Sequence, residues 1–226
     1  MIKLLPIVLA LGWAAMMLAQ SVWRTKSMLA AQSSPLTDAA ILAEVAPLMR
    51  ALQSPMIEMR IFEQPGVNAL AAPDGKVYLT RGMVAAHGAG QITGPEIASV
   101  VAHELGHLSL GHIRRRMIDF TGQNMVLVVL SGVLARFVPV VGVMLARLAS
   151  SALMAHLSRR DEFEADEFAA ALMVKAGLGT GPQQRLLAKL GNLAPGQGAP
   201  AAWLMSHPPI PDRIAAIVAA EARWGA

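Results

Sequence analysis

Five residues, His103-Glu104-Leu105-Gly106-His107, constrain this 226-residue chain more than any other stretch. On an α-helix, positions four apart return to one face, so the two imidazoles can converge on a single ion while Glu104 stands about 100° round the axis beside them. The helix supplies two ligands in this way, and the fold must bring a third to it from elsewhere in the chain. Gly94-Pro95-Glu96 gives the helix its start, with proline at the first helical position and an acidic residue in the first turn. Two neutral nitrogens and one carboxylate suit zinc, leaving a fourth position for a water whose pKa falls towards about 7. Glu104 is then placed to take that water's proton and pass it to a leaving amine.

The chain has no cysteine, so the third ligand is His, Asp or Glu, and neither a thiol nucleophile nor a disulfide framework is available. The dense carboxylate source downstream is Asp161-Glu162-Phe163-Glu164-Ala165-Asp166-Glu167, on a helix expected over about 156–176. Glu162 and Asp166 share a face, whereas Glu164 points roughly opposite Glu162, so the two glutamates cannot both line one site. Spacing alone does not choose between them, and a solvated acidic face is the bland alternative. His112 falls about 140° off the ligand face, which suits a supporting or surface role better than a shared ion.

Around this centre the sequence reads as α+β: one mainly helical domain over 33–226 with a small antiparallel sheet, preceded by a hydrophobic N-terminal helix. Residues 56–62 alternate apolar and charged as a half-buried strand does, and 68–71 and 76–80 form two more extended segments around the turn Pro73-Asp74-Gly75. Residues 33–50 read as a polar start leading into a helix that Pro47 kinks or ends. Beyond Thr80 the chain reads as helices broken by Gly and Pro, with a surface loop over 191–200.

Composition points to a membrane. The chain is 54% hydrophobic and only 15% charged, against about 25% charged in ordinary soluble domains. Residues 1–24 read as a membrane anchor or a signal peptide, with Trp13 and Trp23 in or beside the apolar run. A second apolar stretch at 125–157, interrupted by Arg136, Pro139 and Arg147, reads as a kinked helical hairpin that packs on the domain or lies in the interface. The net charge of +4 comes from scattered basic residues, densest at Arg114-Arg115-Arg116. Anionic lipid headgroups fit that pattern, and nucleic acid, without aromatic interleaving, does not.

His103-Glu-Leu-Gly-His107 followed by Ser158-Arg159-Arg160-Asp161-Glu162-Phe163-Glu164-Ala165-Asp166 resembles the M48 peptidases, gluzincins that include HtpX-like, Ste24-like and Oma1/BepA-like branches. The family's second motif, Ser-Arg-x-x-Glu-x-x-Ala-Asp, implies that Glu162 is the third zinc ligand and that Asp166 supports the site. Asn68-Ala69 resembles its edge strand above the cleft, which can hold an extended substrate by main-chain pairing. Ser206-His207-Pro208 with Arg213 resembles its late His-Pro motif followed by Arg, making His207 a candidate switch or transition-state donor and Arg213 a supporting residue. The compact Oma1/BepA-like form is nearest, since the chain has one hydrophobic helix ahead of the zinc helix where the HtpX-like branch has two. The resemblance implies a zinc metalloendopeptidase with one Zn2+ per chain and polypeptide substrates, among them membrane or misfolded envelope proteins. The expected location is a bacterial-type cell envelope, where a single anchor with its N-terminus inside puts the catalytic domain outside the cytoplasmic membrane. Two other classes compete: a client-binding or complex-stabilising envelope protein with structural zinc, and a membrane-structural protein working through the hairpin. No oligomeric state is implied.

Overall fold

The computed structural model describes the backbone of residues 5–118, 141–192 and 209–224, and the side chains of 12–118, 158–190 and 209–224. In chain order the elements are α1 (Leu5–Ala31), β1 (Ser33–Pro35), α2 (Ala39–Leu52), β2 (Met59–Phe62), β3 (Ala69–Ala71) and β4 (Val77–Thr80), then α3 (Arg81–Gly88), α4 (Gly94–Ser109), α5 (Val141–Lys175), α6 (Gly181–Asn192) and α7 (Ile210–Trp224). Residues 112–118 are also helical. His207 lies outside the described residues, as do 125–140 of the expected hairpin and most of the expected loop at 191–200. Residues 141–157 belong to the single long helix α5.

The sheet is mixed, not antiparallel. Its order is β1-β2-β4-β3, with β2 and β4 parallel and the two outer pairs antiparallel. The β3–β4 hairpin turns at Pro73-Asp74-Gly75, where Gly75 takes a positive φ of 81° and its N–H donates to Ala72 O. That hairpin is entered from its far strand, which leaves β4 in the centre beside β2 and β3 on the edge. Alternating hydrophobicity sets which face of a strand is buried, but it carries no information on strand partner or direction. The same blindness hides β1, three residues whose extended form depends on pairing with β2 through Ser33 to Pro35.

The helix after β1 starts where Asp38 caps it, its carboxylate accepting from the N–H groups of Ala40 and Ile41 at 2.9 and 3.3 Å. Pro47 does not end it. A proline inside a helix costs about 3 kcal/mol, yet Ile41, Val45, Leu48 and Met49 are all buried on its inner face. Burying side chains of that size is worth about 1.5–3 kcal/mol each, which carries the helix on to Leu52.

α4 lies at the centre of the helical layer. It packs on α2, α5 and α6 and against β3, and from Glu96 to His107 nearly every residue is buried. Its N-terminus is tied by Glu96, whose carboxylate accepts from the Thr93 N–H at 2.8 Å and from Lys189 at 2.7 Å. The core around it draws Ile97 and Val101 from α4, Val45 and Leu48 from α2, and Ala169 and Met173 from α5. α1 runs seven residues past the expected 1–24 boundary, and its last turn buries Leu29 with Phe62, Ala72 and Tyr78. Upstream, Trp13, Met16, Met17 and Trp23 are exposed. Among the described residues, no helix is long and apolar enough to cross a membrane.

Candidate active site

α4 and α5 lie in contact, and at Gly106 they approach closely. A Cβ on Gly106 would stand 3.0 Å from Ala165 O and 3.1 Å from Ala165 Cα. This approach brings Glu162 to the face of α4 that carries His103 and His107. Nε2 of His103 and Nε2 of His107 are 3.1 Å apart, and each is 3.4 Å from an oxygen of the Glu162 carboxylate. All three side chains are buried. Ligand atoms around a tetrahedral zinc, with bonds of about 2.0–2.2 Å, are separated by ~3.3 Å from one another. The two nitrogens and the Glu162 carboxylate, whose Oε2 lies nearer His103 and Oε1 nearer His107, are close enough together to hold such an ion and have the right donor chemistry.

Each imidazole is held from its far side. Nδ1 of His103 donates to Asp166 at 2.9 Å, which turns Nε2 towards the centre. Asp166 also accepts two hydrogen bonds from Arg213, at 2.5 and 2.6 Å, and Gln183 Nε2 donates to its backbone carbonyl at 3.2 Å. Burial opposes the charge on Asp166, but Arg213 and His103 outweigh it and lower the carboxyl to about 2. Burial likewise opposes protonation of His103, and hydrogen bonds to Asp166 and Glu162 outweigh it, raising the imidazole to about 9. Nδ1 of His107 lies 3.0 Å from Nδ1 of His112, which is fully buried and, chiefly through that burial, held below the usual imidazole range.

Glu104 points to the sheet side of the centre. Its Oε2 accepts from the Ala71 N–H at 2.6 Å, pinning the carboxylate against the outer strand β3. Asn68 precedes that strand and pairs with Thr80, while its Oδ1 accepts from the Ala69 N–H at 2.9 Å. A cavity of about 200 Å³ runs between β3 and the helices, lined by Asn68, Ala69, Ala71, Glu104, His107 and Arg116 among others. Arg116 donates to Glu162 Oε1 at 2.9 Å and to Asp161 at 3.1 Å.

The structure thus gathers His103, Glu104, His107, Glu162, Asp166 and Arg213 at one point, with Asn68 and Ala69 on the bordering strand edge. Glu164 does not join them; it faces His112, 3.2 Å away. Sequence reading gave no place to Arg116 or Gln183. Both act across long sequence separations, and no local pattern marks them; Arg116 stood out only as one of three adjacent arginines.

The profile of peptidase family M48 matches residues 35–221. Metalloprotease LoiP of Escherichia coli is 24% identical over 157 residues, covering 70% of this chain and 60% of LoiP. Metalloprotease YcaL of the same organism is 29% identical over 161 residues, covering 70% of this chain and 59% of YcaL. The chain therefore spans about three-fifths of the length of these relatives. In fold it is similar to the crystal structure of S. mikatae Ste24p, with a TM-score of 0.62 at 21% identity, over 96% of this chain and 59% of that one. The chain belongs to peptidase family M48.

Proposed function

We propose that this chain is a zinc-dependent endopeptidase in which His103, His107 and Glu162 hold one zinc ion and Glu104 is the general base and acid. The observation that carries the reading is the convergence of His103 Nε2, His107 Nε2 and the two Glu162 carboxylate oxygens, 3.1 to 3.4 Å from one another across the three side chains, a buried donor set of the kind zinc takes. Zinc bound there would polarise the scissile carbonyl and lower the pKa of the attacking water. The chain's own groups do the rest. Asp166, held by Arg213, orients His103 and keeps its Nδ1 protonated. Glu104 takes a proton from the water and returns it to the amine leaving group, so no covalent enzyme intermediate forms. The outer edge of β3, from Asn68 and Ala69 to Ala71, pairs with an extended polypeptide; the Ala71 N–H that now donates to Glu104 is one of its outward donors. His207 carries, by the family resemblance of the late His-Pro motif, the role of a switch or transition-state donor.

The substrates we assign are membrane or misfolded envelope proteins, reached from a chain attached to lipid. The apolar stretches at 1–24 and 125–157 and the exposed Trp13 and Trp23 support that attachment. We assign the domain to the outer side of the cytoplasmic membrane.

Cleavage of an unfolded model protein by wild type and Glu104→Gln tests the reading, with zinc content measured on both. The expected result is equal zinc and a loss of rate of 100-fold or more in the variant, the scale of general acid–base catalysis. Cleavage indifferent to Glu104 would instead support the client-binding role.

A further inference from the structure

Behind His107 sits a second group of ligand-type side chains, His112, Asp161 and Glu164. His112 is fully buried, and its ring centroid is 5.1 Å from that of His107. Its Nδ1 faces His107 Nδ1 at 3.0 Å, and its Nε2 faces Glu164 Oε2 at 3.2 Å and Asp161 Oδ1 at 3.9 Å. Such a cluster could hold a second ion or could serve the first site.

The protons decide between these. A neutral imidazole carries one N–H. His107 turns Nε2 towards His103 and Glu162, so its proton is on Nδ1 and donates to His112. Nδ1 of His112 is then the acceptor, which puts the proton of His112 on Nε2, where it donates to Glu164. An ion on His112 Nε2 would require that proton to leave and the ring to become an imidazolate. Its neighbourhood is also already cationic: Arg115 and Arg116 each donate to Asp161 at 3.1 Å.

We propose that His112 is a positioning residue and not a metal ligand: the chain from His107 Nδ1–H to His112, and from His112 Nε2–H to Glu164, fixes the tautomer with which His107 meets zinc. This rests on the zinc reading above. It makes the two histidine ligands unlike, since His103 is backed directly by a carboxylate and His107 reaches one only through a second imidazole. Partners of this kind are worth about 10 to 100-fold in metal affinity.

The test is zinc binding by full-length wild type, His112→Ala and His112→Gln, using chelator competition and metal counting, with folding followed by circular dichroism. A glutamine can accept from His107 through its carbonyl and donate to Glu164 through its amide. The expected result is one zinc per wild-type chain, affinity about 10 to 100-fold weaker in His112→Ala, and recovery of most of that loss in His112→Gln. Nitrogen-15 spectra of the zinc-loaded wild type should show His112 protonated at Nε2 and not at Nδ1, a readout that stands even where the alanine variant fails to fold. Two zinc ions per chain, unchanged affinity in His112→Ala, or His112 protonated at Nδ1 would overturn the relay while leaving the first site intact. A wild type that binds no zinc would overturn the site reading and the relay together.

Discussion

Asp166 and Arg213 show what one residue pair contributes at the centre of this molecule. Arg213 is 1% exposed and Asp166 2%, so removing one partner strands a charge that water cannot reach. Arg213→Met is therefore expected to cost about 3–5 kcal/mol in urea unfolding near pH 7. The acid profile follows from the direction of the Asp166 shift. Its folded value, about 2, lies below that of an unfolded aspartate, so the stabilisation is complete above pH ~4 and is lost as pH falls through 2. In Arg213→Met that loss should begin at higher pH, and identical acid profiles for the two proteins would contradict this account. In sequence, the spacing of four put Asp166 on the same helix face as Glu162, but its supporting role came only with the family resemblance, as did that of Arg213. Nothing local ties Arg213 to a residue 47 positions earlier.

At the scale of elements, the site depends on how closely α4 and α5 approach, and Gly106 sets that distance. Its two nearest neighbours there are backbone atoms of a long helix, which cannot yield as a flexible side chain could. Gly106→Ala should cost about 1–3 kcal/mol by overpacking. Because it pushes Glu162 away from His103 and His107, it should also weaken zinc binding. Titrating zinc into the variant checks this, and wild-type affinity would show that the helix spacing does not govern the site. The sequence made α4 readable because its start, its histidine spacing and its apolar content agree with one another. It left the sheet half-read: the positions of β2, β3 and β4 follow from alternation and the Pro73-Asp74-Gly75 turn. The parallel pairing of β2 with β4 rests on contacts between distant segments. Pro47 misleads for a related reason, since a local preference for breaking the helix is overridden by the burial of Leu48 and Met49.

For the whole molecule, the β3 edge of the sheet borders the cavity that reaches Glu104 and His107, which gives an extended chain a route to the metal-type cluster along that edge. The choice between Glu162 and Glu164 belongs to this scale. A single helix holds both, and only the packing of α5 on α4 turns Glu162 towards the histidines and Glu164 towards His112. Every part of the proposed chemistry follows from that choice. The most direct test is the number of zinc ions per chain in purified wild type and in Glu162→Ala, measured by elemental analysis. The account predicts one in the wild type and fewer than about 0.1 in the variant; a metal-free wild type, or a variant that keeps its full equivalent, would contradict it.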